Sequence, residues 1–158
     1  IKKRNPIYLK DVISHLEPIQ HNNSSKRDIL HRAKELNEIN FKRIKATPLN
    51  GGLRSAWSEE LRLPCHKVKE SFHDNYGRLA WDKLSSTITT KFNQYYSGRF
   101  GHPEQDRALS LREGALIQTF PKDYQFSKSD YQIARQIGNA VPVNLSKAVG
   151  ETFISAIV

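Results

Sequence analysis

The stretch "LRLPCHK", residues 61–67, holds the single cysteine of this 158-residue chain, between a proline and a histidine. A thiol in that setting can be a nucleophile, a metal ligand or a small hydrophobe. A nucleophile needs thiolate character, supplied by a nearby cation or a helix N-terminus. His66, Lys67 and Lys69 are near in sequence, but neighbours in an extended chain face opposite sides, so adjacency is not contact. A zinc ligand needs companions, and no CxxC or HxxxH spacing occurs. The residues favour a buried or semi-buried thiol without chemistry of its own.

Other candidates are weaker. Glu59-Glu60 reads as a solvated face rather than an acid–base pair, and the six histidines lack metal spacing. His102, in "GHPE", reads as a turn residue, and there is no phosphate-binding loop and no GxGxxG. Basic residues interleaved with aromatics are more informative. "NYGRLAW" and "TTKFNQYYSGRFGH" set Arg78, Lys91 and Arg99 among Tyr76, Trp81, Phe92, Tyr95 and Tyr96. Arginine reads guanine edges or holds phosphates, and hydroxyls hold the backbone. The formal charge of +9 favours a polyanionic partner, and one cysteine suits a reducing cytoplasm.

The elements that must position these residues follow from pattern. Ile7, Leu9, Val12, Ile13 and Leu16 form an apolar set that needs a surface to dock on. Ser25 and Asp28 resemble the start of a helix carrying Ile29, Ala33 and Leu36 on one face. In "SSTITTKF", Ile88, Thr90 and Phe92 alternate with polar partners, the period of a half-buried strand. Ser110 and Glu113 have capping-box spacing at the head of a helix that Pro121 ends. Gly138-Asn139 reads as a turn before Pro142, and Leu145, Ala148, Val149, Thr152 and Ala156 then stripe a terminal helix. No apolar run approaches the roughly 20 residues of a membrane span.

Two segments carry a resemblance. "RALSLREGALIQTFPKDYQF" (107–126) and "QIGNAVPVNLSKAVG" (136–150) resemble the last two conserved motifs of DNA cytosine-5 methyltransferases, in that family's order. "YGRLAWDKLSSTITTKFNQYYSGRFGHPEQD" resembles the second half of the family's target-recognition domain; "ILHRAKELNEINFKRIKATPLNGG" and "LRLPCHK" match its bacterial subgroup. "LKDVISHL" resembles the segment that follows the catalytic domain's late strands, so the likeness covers nearly the whole chain.

The resemblance implies an enzyme that flips cytosine from the duplex, attacks C6 with a cysteine thiolate and takes its methyl group from S-adenosylmethionine. That cysteine belongs to a Pro-Cys-Gln motif. Here Pro64-Cys65 is followed by His66, within the recognition region, so the resemblance assigns no catalytic residue to this chain. It implies an α+β fold: a small, mainly β and loop recognition lobe, then C-terminal helices that pack on a Rossmann-like catalytic lobe lying outside this sequence. The expected divisions are 1–19 as a connection, 20–105 as the recognition lobe and 106–158 as the returning motifs.

DNA contacts are expected from Arg78, Thr89, Thr90, Lys91, Asn93, Tyr95 and Arg99, and a cofactor-pocket edge from Asn139 and Ala140. Arg112 and Glu113 are expected to be structural. Expected partners are double-stranded DNA, the catalytic half of the enzyme and, for the isolated chain, a second copy; no membrane and no metal are expected. The expected location is the cytoplasm, on the bacterial nucleoid. Ile1 at the start favours an excised piece over a natural small subunit. The rival readings are a non-enzymatic DNA-binding module or regulator and a basic protein-interaction domain. Neither explains "QIGNAVP".

Overall fold

A computed structural model describes residues 5–67 and 74–157. Five α-helices carry the fold: α1 (Leu9–Ile13), α2 (Glu38–Ala46), α3 (Leu111–Ile117), α4 (Asp130–Asn139) and α5 (Val143–Ile157). Among the described residues, four short 3-10 turns lie between α2 and α3. Among the described residues the β structure is limited to isolated bridges, Ser24 with Arg32, Arg78 with Gly101, and Gly101 with Ala108.

That overturns the expected mainly β lobe. The segment read as a strand shows why. From Thr89 onward its backbone bonds are local, Phe92 N–H to Thr89 C=O and Gln94 N–H to Lys91 C=O. Ile88, Phe92 and Tyr95 are buried at spacings of four and three. The face they share belongs to a winding turn, not to a pleat. Alternation alone did not supply the neighbouring strand that a ladder requires.

The helix expected after Ser25 is also absent. Ser25 Oγ instead accepts the N–H groups of Arg27 and Asp28 in a tight turn, the local competition that serine offers a helix. Asp28 accepts Leu30 N–H and pairs with Arg112, while Ile29 points outward. The helix begins later, where Asn37 Oδ1 caps α2 by accepting Asn40 N–H.

Two apolar clusters organise the chain. One joins Leu9 and Ile13 of α1, Leu111 and Ala115 of α3, and Ile133 and Ile137 of α4, with Ile88, Phe92 and Phe100 between them. The apolar set expected to dock on another lobe is therefore partly used inside this chain. The second cluster gathers Ile44 of α2 with Trp57, Tyr76 and Tyr95. Thr47 Oγ1 ties it together, bonding Tyr95 Oη and accepting Trp57 Nε1–H. α3 carries the expected capping box, with Ser110 Oγ accepting Glu113 N–H and the Glu113 carboxylate accepting Ser110 N–H.

α4 runs through "QIGN", so the Gly138-Asn139 pair is its last turn rather than a separate one. α5 begins after Pro142 as expected and has no buried residue; Leu145, Phe153 and Ile154 are all exposed. Among the described residues no helix is long and apolar enough to cross a membrane.

Candidate nucleic-acid interface

The expected site residues divide sharply by burial. Arg78 is fully buried. Its Nε–H donates to Thr47 C=O, Nη1 to His102 and Gln105 C=O, and Nη2 to Ile44 C=O and the Asp106 carboxylate. A guanidinium has five N–H donors, and those five acceptors use them all. Tyr95 is equally buried, with its hydroxyl on Thr47. In this geometry neither residue reaches a base edge. The base-reading role expected of Arg78 gives way to a structural one: it ties the end of α2 and Thr47 to the 102–106 loop.

The remaining residues stay at the surface. Thr89 and Lys91 are exposed, and Thr90 and Asn93 are half-buried. Their loop lies on α4 at Gly138, where an added Cβ would collide with the Thr89 carbonyl group and the Thr90 nitrogen. Glycine is needed there for close approach rather than for an unusual φ. The sequence signal was the glycine inside a helical run, which a turn reading explained away.

Beside that loop is a cavity of about 140 Å³, lined by Arg32, Lys34, Thr90, Asn93, Gln94 and Tyr131, among others. Arg32 is held by Asp130, the first residue of α4. Lys34 and Tyr131 were missed by the sequence reading, because they lie far from the loop in the chain. Arg99 pairs with Asp74 and is a third exposed.

Gly138 also lines a groove of about 420 Å³ between α1, the 85–88 segment and the end of α3. Ala140 and Pro142 line it, and Asn139 is exposed at the end of α4. Gln118 fixes this corner by donating to the carbonyls of Ile137 and Ala140. Thr119, also in the lining, takes φ of 62°, an outlier for a β-branched residue. It accepts Asn144 N–H from α5. Ala140 is thus held at a partly apolar groove, while Asn139 lines a separate surface hollow with Lys128, Gln132, Arg135 and Gln136.

Behind both surfaces is a buried polar network. Arg107 and Glu113 form a two-bond ion pair at 2.7 and 2.8 Å, fully buried. His102 Nε2 lies 3.7 Å from Glu113 Oε1, and His102 Nδ1 accepts the N–H groups of Glu104 and Gln105. Those two bonds require an unprotonated Nδ1. Burial presses the His102 pKa down; Glu113 partly offsets it, while Arg107 and Arg78 press further, to about 3.

The unfolded histidine titrates near its ordinary value of about 6.5. Below that pH the unfolded chain takes up a proton that the folded chain refuses, so stability falls with pH until about 3. Urea unfolding is expected to show a slope of about 1.4 kcal/mol per pH unit from His102, absent in His102→Gln. An identical slope in the variant would remove His102 as its source.

Cys65 is exposed, not the buried or semi-buried thiol expected from the sequence. His66 Nδ1 accepts Leu63 N–H and its ring packs on Trp57 and Tyr76. Among the described residues no group of three His, Cys, Asp or Glu could hold a metal.

The family model for C-5 cytosine-specific DNA methylases matches residues 2–155. The chain belongs to this family. It is 46% identical over 150 residues to type II methylase M.HgiDII of Herpetosiphon aurantiacus, covering 91% of this chain and 42% of that protein. It is 49% identical over 77 residues to type II methyltransferase M.PspPI of a Psychrobacter strain, covering 49% of this chain and 18% of the relative. Mouse DNA (cytosine-5)-methyltransferase 1 is 47% identical over 76 residues, covering 48% of this chain and 5% of that protein. The chain therefore spans less than half the length of these relatives.

Proposed function

We propose that this chain is the target-recognition part of a DNA cytosine-5 methyltransferase, with the catalytic thiolate contributed by the remainder of the enzyme. The observation that carries the reading is the surface loop 89–93, seated on α4 at Gly138 and bordered by Arg32, Lys34 and Tyr131. It offers hydroxyls, an amide and cations together, the groups that position a duplex and read its edges. Thr89, Thr90, Lys91, Asn93 and Arg99 contact DNA in this reading. Asn139 and Ala140 border the pocket for S-adenosylmethionine, which supplies the methyl group. The net charge of +9 supports the same partner. The exposed face of α5 packs against the catalytic half. The enzyme works in the bacterial cytoplasm.

The test is methylation of duplex DNA by this chain mixed with a catalytic half carrying Pro-Cys-Gln, mapped by bisulfite sequencing. Methylation at a defined site only when both are present supports the reading; no dependence on this chain defeats it. In the same assay Cys65→Ser is expected to leave the rate within about twofold, because an exposed thiol that serves no reaction contributes little when replaced by a near-isostere. A true nucleophile would not survive the change. Loss of both methylation and covalent capture of a mechanism-based cytosine analogue, in a folded variant, would make Cys65 the nucleophile.

A further inference from the structure

The outward face of α4 is rich in hydrogen-bond donors. Gln132, Arg135, Gln136 and Asn139 follow the i, i+3, i+4, i+7 spacing of one helix face, opposite the buried Ile133, Ala134 and Ile137. With Lys128 they line a surface hollow of about 230 Å³, and all five are exposed. Among the described residues neither the Lys128 ammonium nor the Arg135 guanidinium has a hydrogen-bond acceptor or a carboxylate partner. Arg135 lies over the Tyr131 ring, 5.7 Å from its centroid, which orients the guanidinium and leaves its N–H edge open. Gln132 Oε1 accepts the N–H and O–H groups of Ser129, so its amide nitrogen keeps both N–H donors. Asp130, the one carboxylate on α4, is already taken by Arg32. Lys128 is held at φ of 107°, in the region that favours glycine.

We propose that this face of α4 holds the phosphodiester backbone of the bound duplex, beside the recognition loop and without regard to base sequence. The proposal rests on the DNA-recognition reading above. Two unpaired cations and a free amide donor on one side of a helix, with no acid among them on that helix face, complement a line of phosphate oxygens. The same helix supplies Tyr131 and Ala134 to the cavity beside Thr90 and Asn93. Its Gly138 seats Thr89 and Thr90, and Arg135 is less than one turn away. The donor row and the recognition loop therefore share one rigid frame, and that continuity favours the duplex over an acidic peptide.

The experiment titrates this chain with labelled duplexes, one carrying the site mapped by bisulfite sequencing and one random, across a salt series. The parent is compared with Arg135→Gln, Arg135→Lys, Lys128→Gly and, as a matched charge loss elsewhere, Lys42→Gln on α2, each checked by thermal melting. Arg135→Gln and Lys128→Gly are each expected to reduce the slope of log affinity on log salt by about 0.9, one phosphate contact apiece. The affinity loss should be equal on both duplexes. Arg135→Lys should recover part of it. Lys42, paired with Glu38, should leave the slope unchanged when replaced. Glycine takes the φ at residue 128 without strain, so Lys128→Gly keeps the fold and a folding defect does not hide the result.

Unchanged slopes for Arg135→Gln and Lys128→Gly, in a parent that binds duplex, overturn this face and leave the recognition reading standing. A loss confined to the mapped site, or an equal loss in Lys42→Gln, does the same. Polyglutamate that binds the parent as tightly as random duplex, and releases from Arg135→Gln, would make the face an acidic-peptide site instead. A parent that binds no duplex brings down both readings together.

Discussion

Arg78→Ala is expected to destabilise the chain by about 3–5 kcal/mol, the range for removing one partner of a buried charged network. The guanidinium satisfies the carbonyls of Ile44, Thr47, His102 and Gln105 as well as Asp106. With alanine these acceptors lose their donor, in a region with few backbone ladders to replace it. Each buried orphan costs about 1–3 kcal/mol, and the emptied volume adds to the loss. These costs overlap, so their sum overstates the effect. Against a typical domain stability of about 5–15 kcal/mol, the loss is a large fraction.

Arg78→Lys should recover only part, because an ammonium offers three donors from one point rather than a five-donor fork. Denaturant midpoints of the three proteins check this. If the alanine variant instead unfolds within about 0.5 kcal/mol of the parent, as a surface change would, and loses only discrimination between cognate and random DNA, Arg78 is a base reader.

What could be read from sequence depended on how local the determinants were. The α3 capping box and the start of α5 after Pro142 were legible, because each is specified within a few residues. The family was legible from 107–126 and 136–150, short local stretches that lie within the residues its model matches. The part of the chain before them was not. Its shape is set by Arg78, Thr47 and Tyr95 bonding to atoms tens of residues away, and no periodicity announces such contacts. The alternation at Ile88–Phe92 measured burial correctly but misassigned its geometry, since a turn and a strand can both bury those two positions. The charge of Arg78 suggested a surface role, and only the five-acceptor cage explains an arginine buried at 0% exposure. Lys34 and Tyr131 entered the candidate interface through the packing of α4, which sequence spacing does not show.

Glu113→Gln is expected to cost about 3–5 kcal/mol and to remove one limb of the acid-unfolding profile. The Glu113 side chain is 1% exposed and that of its partner Arg107 is 0% exposed. The carboxylate accepts both Arg107 Nη groups and the Ser110 N–H. An amide keeps one acceptor oxygen but turns an N–H donor toward a guanidinium that also donates, and it leaves the Arg107 charge buried without a counter-charge.

Burial alone would push the Glu113 carboxyl up. The Arg107 charge and hydrogen bonds, with His102 and Ser110, overcome it and hold the pKa at about 2. Its pKa in the unfolded chain is about 4.3. The stabilisation is therefore complete above that value and is lost as pH falls through it towards about 2. In the parent this limb should overlap the acid end of the His102 region and extend below it, and Glu113→Gln should lack it while starting from lower stability.

Replacing both partners by apolar residues, Arg107→Met with Glu113→Leu, should cost less than the two single changes added together, because no charge is then stranded. The functional consequence follows from position. Glu113 caps α3, α3 packs on α4, and α4 carries the glycine on which Thr89 and Thr90 rest. DNA binding by Glu113→Gln should therefore fall in step with the folded fraction, and added stabilising osmolyte should restore both. Full stability with lost DNA binding would assign Glu113 a direct part in recognition instead.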